Sequence, residues 1–171
     1  MVRAASERWA SRSSARVGSA TRRAASKRSS PRSGALLAIV DTGPLYAAAD
    51  ETDANHDASL ETLERGDLEL VIPALVVAET TYLVGRRLGA VAEARFLEAL
   101  ADHEVDVPSG PDWSRIAELV EEYLDFPLGG TDASVVALAE RLDTDVVITL
   151  DRRHFGAIRP RHCEALSLLP A

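Results

Sequence analysis

The ten residues from Leu36 to Leu45, Leu-Leu-Ala-Ile-Val-Asp-Thr-Gly-Pro-Leu, constrain the fold of this chain more than any others. Five apolar residues in succession read as a strand buried on both faces, the kind found in parallel sheets. The run stops at a carboxylate, Asp41. Gly43 then frees the backbone, and Pro44 suits the first turn of a helix. Strand, tight turn and helix follow one another, with Asp41 at the carboxyl end of the strand. In open α/β sheets that rim is where ligands bind. Taken alone, Asp41 or Thr42 has a second reading as the cap of the following helix.

The rest of the chain repeats the alternation. A short helix from Pro44 to Ala49 and a second from Ala54 to Arg65 lead to a strand, Leu68–Ile72. Pro73 opens a long helix through Val84, with Arg86 and Arg87 suited to its last turn and Gly89 to its end. A helix over Ala90–Ala101, a strand over Val105–Val107 and a helix over Asp112–Leu124 come next; Ile116, Leu119, Val120 and Tyr123 form the apolar stripe of the last. Gly129-Gly130-Thr131 breaks the chain. A helix over Asp132–Leu142, a strand over Asp145–Leu150 and a last strand over Ala165–Leu169 complete it. Strands alternating with helices predict an α/β fold: a central, mostly parallel sheet flanked by helices.

Charge divides the chain in two. Residues 1–34 carry nine Lys/Arg and one acid, Glu7, a net of +8; residues 35–171 carry ten Arg and 26 acids, a net of −16. The first segment is rich in Arg and Ser and has no apolar periodicity. It reads as a disordered tail or a start assigned too far upstream, with weak attraction to RNA as a third reading. It lacks the apolar core of a secretory signal and is too polar for a membrane span. Residues 35–171 are long enough for one domain. Cys163 is the single cysteine, which excludes a disulfide framework and a cysteine zinc site and fits a reducing cytoplasm.

Four carboxylates stand out in this domain. Asp41 and Asp151 each follow a buried strand. Glu79 lies in a strongly apolar helical segment, among Val76, Val77, Tyr82 and Leu83, and is expected to point into a cleft. Asp132 follows Gly-Gly-Thr at a helix start. Each has an ordinary reading: Asp151 as a turn residue, Glu79 as a solvent-facing helical acid, Asp132 as a first-turn acid with Thr131 as the cap. Jointly they lie at strand ends and helix positions able to face one rim. Clustered carboxylates repel unless a cation stands among them. Hard divalent cations take oxygen ligands, and Mg²⁺ pairs one or two carboxylates with waters and substrate phosphates. Such ions activate water and stabilise the leaving oxygen in phosphodiester hydrolysis, with no histidine base required.

The pieces Ile39–Leu45, Pro73–Glu79, Gly130–Ala139 and Val147–Phe155, in this order and spacing, make the chain resemble the PIN-domain ribonucleases, and among them the VapC-type toxins of bacterial toxin–antitoxin pairs. The resemblance spans about residues 36–169. It implies a PIN-like three-layer fold and an endoribonuclease dependent on Mg²⁺ or Mn²⁺. It also implies an RNA substrate, a homodimer and a cognate antitoxin whose arginine would enter the acidic pocket. The acidic roles of the family carry over to Asp41, Glu79, Asp132 and Asp151, all of them metal and catalytic candidates. The hydroxyls that accompany them map to Thr42 and Thr149. The first 34 residues have no counterpart in the family pattern.

Arg152 and Arg153 directly follow Asp151 and are the best-placed phosphate contacts; Arg86 and Arg87 are further candidates, or else solvated helix ends. His154 is read as a turn histidine packed near Phe155, or as an RNA contact. Trp113 is expected in the core. Two rival functions remain open to test. A non-catalytic PIN-like module that binds RNA or protein would typically lack one or more of the four acids, and all four are present. A haloacid-dehalogenase-like phosphatase needs a second Asp two residues after the first, where this chain has Gly43.

Overall fold

The computed structural model describes residues 34–126 and 128–170. The basic tail therefore lies outside the described residues, apart from Gly34, and so do the readings placed on it. Five strands form one sheet: β1 (Leu36–Val40), β2 (Leu68–Pro73), β3 (Glu104–Asp106), β4 (Val146–Ile148) and β5 (Ser167–Leu169). Their order is β3-β2-β1-β4-β5, and every neighbouring pair is parallel. Among the described residues the sheet is thus wholly parallel rather than mostly so.

The apolar run of β1 explains its central place. Ile39 is opposite Val71 of β2 on one side and Val147 of β4 on the other, and Ala38, Ile39 and Val40 are completely buried. Helices flank this sheet: α1 (Thr42–Ala49), α2 (His56–Leu63), α3 (Ala74–Leu88), α4 (Ala90–Ala99), α5 (Gly110–Glu122), α6 (Gly130–Leu142) and α7 (Arg152–Ala157). A single 3₁₀ turn, Leu100–Asp102, leads into β3. α6 is the most deeply set, with every residue from Ala133 to Ala139 buried. No helix among the described residues is long and apolar enough to cross a membrane.

Parallel pairing puts the carboxyl ends of β1, β2 and β4 on one edge. Asp41 follows β1 immediately, and its N–H donates to Ile148 O of β4 at 2.9 Å. Gly43 opens α1 beside the turn after β4; a Cβ there would lie 3.3 Å from the Leu150 Cβ, so a glycine lets the two segments close together. Pro73 ends β2 and precedes α3, which carries Glu79 back over the same edge.

Several expected bounds shift. The strand expected over Asp145–Leu150 covers only Val146–Ile148, although its flanks stay bonded to β5, with Ser167 N donating to Asp145 O and Thr149 N to Leu169 O, both at 2.8 Å. α5 starts at Gly110, where Asp112 Oδ2 accepts from both Ser109 N (2.8 Å) and Ser109 Oγ (2.6 Å). Trp113 is 50% exposed instead of belonging to the core. The inward position beside it is taken by Asp112, whose carboxylate meets Arg141 of α6 at 2.9 Å. A hundred degrees around the helix from Asp112, the indole lies at the flank of the buried stripe.

Candidate active site

Asp41 is 5% exposed. It stands at the N-cap position of α1, yet its side chain makes no capping bond to the helix. The carboxylate therefore makes no N-cap bond into the helix; it is held by the Thr149 hydroxyl from the sheet, with the backbone N–H of the adjacent Thr42 as a further partner. Thr149 Oγ1, itself buried at the end of β4, donates to Asp41 Oδ2 at 2.7 Å and accepts from Asp151 N at 2.9 Å. Asp41 Oδ1 is buried without a hydrogen-bond partner. Burial pushes the Asp41 carboxyl up to about 6, against the pull of the Thr149 and Thr42 bonds, and the neighbouring Asp132 and Glu79 add to the rise.

Thr42 turns the other way. Its Oγ1 donates to Glu79 Oε2 at 2.7 Å, tying α1 to α3 across 37 residues of chain. Glu79 is not enclosed in a cleft: it lies on the exposed side of the rim, aimed at Thr42. Asp132 is in the first turn of α6, whose N-cap is Gly129 rather than Thr131. The Asp132 carboxylate accepts from the Gly129 backbone, so its helix-start reading holds in part. Burial also raises the Asp132 carboxyl; His154 opposes this, and Glu79 and Asp151 reinforce it. Asp132 is thus close enough to interact with all three other acids.

Asp151 caps α7: its Oδ1 accepts from His154 N at 2.8 Å. Its Oδ2 lies 2.7 Å from His154 Nδ1. The His154 ring packs edge-on against Phe126, with centroids 4.9 Å apart at 76°, rather than against Phe155. Phe155 is instead buried in the core. The Arg153 guanidinium lies 5.4 Å above the Phe126 ring, and an Arg152 nitrogen donates to Pro170 O. Both arginines are exposed beside the rim. Arg87 instead stacks over Tyr46 at 5.3 Å, which takes it into a contact between α3 and α1.

Sequence reasoning missed Phe126, which comes from the turn between α5 and α6, and the pair of hydrogen-bonding contacts that His154 makes to the Asp151 carboxylate. The second left a signal in the Asp-x-x-His spacing, that of an N-cap and its third helical residue.

Among the described residues no three of the Asp, Glu, His and Cys side chains stand together tightly enough to grip a metal ion as they lie. The donor set nevertheless fits a hard divalent cation. It offers four carboxylates and two hydroxyls. Asp41 Oδ1 is an orphaned buried acceptor with no arginine paired to it. Repulsion opposes the gathering of such groups, and a cation supplies the charge that gathering requires.

The family model for the PIN domain matches residues 38–159. Ribonuclease VapC26 of Mycobacterium tuberculosis is 38% identical over 124 residues, which is 71% of this chain and 92% of the relative. Solved structures share the fold at low identity. VapC20 of Mycobacterium tuberculosis, described as a toxin cleaving the sarcin–ricin loop, superposes with a TM-score of 0.62 at 18% identity, over 70% of this chain and 94% of the other. VapBC2 of Rickettsia felis, solved on a DNA fragment from its promoter, gives 0.59 at 18% identity, over 78% and 97%. A toxin–antitoxin complex from Klebsiella pneumoniae gives 0.54 at 21% identity, over 71% and 92%.

Proposed function

The chain belongs to the PIN-domain family, and on that premise we propose that it is a divalent-metal-dependent endoribonuclease acting as the toxin of a toxin–antitoxin pair. The observation that carries the reading is the Asp41 carboxylate, buried, orphaned at Oδ1 and surrounded by acids. A group in that setting has a use for a cation and little use otherwise.

Asp41, Glu79, Asp132 and Asp151 would hold Mg²⁺ or Mn²⁺. When bound, the ion supplies an activated water and charge stabilisation for the leaving oxygen of a phosphodiester. The chain's own residues prepare that site. Thr149 fixes one oxygen of Asp41 and leaves the other free. Thr42 aims Glu79 at the rim from α3. Asp132, in the first turn of the buried helix α6, interacts with Glu79 and Asp151. Arg152 and Arg153 flank Asp151 and would contact the phosphates of the RNA strand.

The reading assigns catalysis to residues 35–171, with the basic tail outside the nuclease domain. It expects a cytoplasmic homodimer held in check by a cognate antitoxin, since the relatives include toxin–antitoxin complexes. The test is incubation of the purified protein with total RNA, with Mg²⁺ and with excess EDTA, followed by mapping of the cut ends. Discrete cuts that vanish in EDTA support the proposal. Binding of RNA without cutting would favour the non-catalytic module instead.

A further inference from the structure

We propose that His154 is a positioning residue for Asp151, clamping both carboxylate oxygens at the rim of the acidic site. The inference rests on the nuclease reading for its consequence, but the clamp itself is independent of that reading.

Two bonds from one residue make the clamp. The backbone N–H of His154 donates to Asp151 Oδ1 at 2.8 Å, and the ring Nδ1 lies 2.7 Å from Oδ2. A backbone cap alone holds one oxygen and leaves the carboxylate free to swing about its last torsion. The second bond stops that swing. A neutral imidazole with its proton on Nδ1 suffices as the donor.

The ring is itself held. Phe126, from the turn before α6, meets it edge-on at 4.9 Å, and Arg153 covers the Phe126 ring at 5.4 Å. On the other side, the Asp151 N–H donates to Thr149 Oγ1, which also holds Asp41. Asp151 is therefore fixed through backbone and side chain alike, in a line of contacts running from Arg153 to Asp41. Each carboxylate oxygen has a second lone pair, so the clamp leaves Asp151 able to serve a cation while fixing where it does so. Groups that orient ligands in this way typically change metal affinity or activity by about 10–100-fold when removed.

Three substitutions and three readouts test this. In H154A, Mn²⁺ affinity of the RNA-free protein, followed by the free-ion EPR signal, should fall about 10-fold or more. The kcat for RNA cleavage should fall with it, while KM for RNA and the melting temperature in EDTA stay near wild type. H154N places an amide nitrogen at the Nδ1 position and should recover most of the loss. H154Q places it at the Nε2 position and should not. Unchanged Mn²⁺ affinity in H154A, or equal recovery by Asn and Gln, overturns the proposal.

The clamp is also read without metal or RNA. Nitrogen-15 NMR of the imidazoles should show His154 protonated on Nδ1 in the wild type, and reverting to the Nε2–H tautomer in D151A. A wild-type His154 already in the Nε2–H form overturns the clamp and leaves the nuclease reading standing. A wild type that neither binds Mn²⁺ nor cuts RNA, yet shows the Nδ1–H form, overturns the nuclease reading and leaves the clamp.

Discussion

The Thr149 hydroxyl joins two acids that are 110 residues apart in sequence: it donates to Asp41 Oδ2 at 2.7 Å and accepts from the Asp151 N–H at 2.9 Å. One buried oxygen thereby aligns the ends of β1 and β4. Thr149→Val keeps the shape and removes both bonds, stranding a carboxylate oxygen and an amide. We expect a loss of about 2–3 kcal/mol in urea unfolding at pH 7, with Thr149→Ser retaining most of the stability. Equal stability of Val and Ser variants would show that the hydroxyl carries nothing.

Asp41 makes stability depend on pH in a stated direction. Its carboxyl is pushed from 3.8 to about 6 by burial, so between those values the folded chain keeps a proton that the unfolded chain has released. Stability from this group is therefore lost as pH rises through that window, by about 3 kcal/mol when complete. Asp41→Asn removes the titration and keeps an acceptor for Thr149. In EDTA, the variant should match the wild type near pH 4 and exceed it by up to that amount at pH 7. Parallel stability–pH curves for the two proteins would refute this.

Asp132 interacts with each of the other three acids. Asp132→Asn should lower RNA cleavage by at least 100-fold, the scale expected when a charge-stabilising group at a reaction centre is lost. It should also leave the metal-free protein as stable as the wild type or slightly more so, because it relieves repulsion. Cleavage assays in Mg²⁺ and thermal melts in EDTA separate the two effects. Full activity in the variant would remove Asp132 from the site.

The sequence made the strand ends legible because a buried strand stopped by an acid is a local pattern: Leu36–Val40 before Asp41, and Val146–Ile148 shortly before Asp151. Pro73 and Gly89 likewise bounded α3. What could not be read locally were pairings across the fold. Thr42 and Glu79 meet over 37 residues. Trp113 is half exposed while the neighbouring Asp112 is buried, paired with Arg141 of the next helix. His154 found its ring partner in Phe126, in a turn with no periodic signal at all. In each case the deciding contact comes from another element, and hydrophobic periodicity carries no information about it.

The last prediction concerns how an acidic domain binds RNA. With ten Arg, no Lys and a net charge of −16, residues 35–171 cannot attract a polyanion over their whole surface. Affinity should instead rest on a few arginines at the rim. Arg153 lies over Phe126, with its guanidinium still exposed, and a guanidinium stacked on a ring is pre-organised for phosphate. Arg152 donates one nitrogen to Pro170 O, and its remaining donors are free to be used in the same way. Each phosphate contact on a single strand contributes about 0.7 to the slope of log affinity against log salt. Replacing both arginines with Ala should therefore weaken binding and flatten that slope by about 1.4. The measurement is RNA affinity across a salt series, made with the Asp132→Asn background at saturating Mg²⁺ so that the RNA stays intact. Coincident slopes with and without the two arginines would move the RNA path away from α7, toward Arg86 at the end of α3.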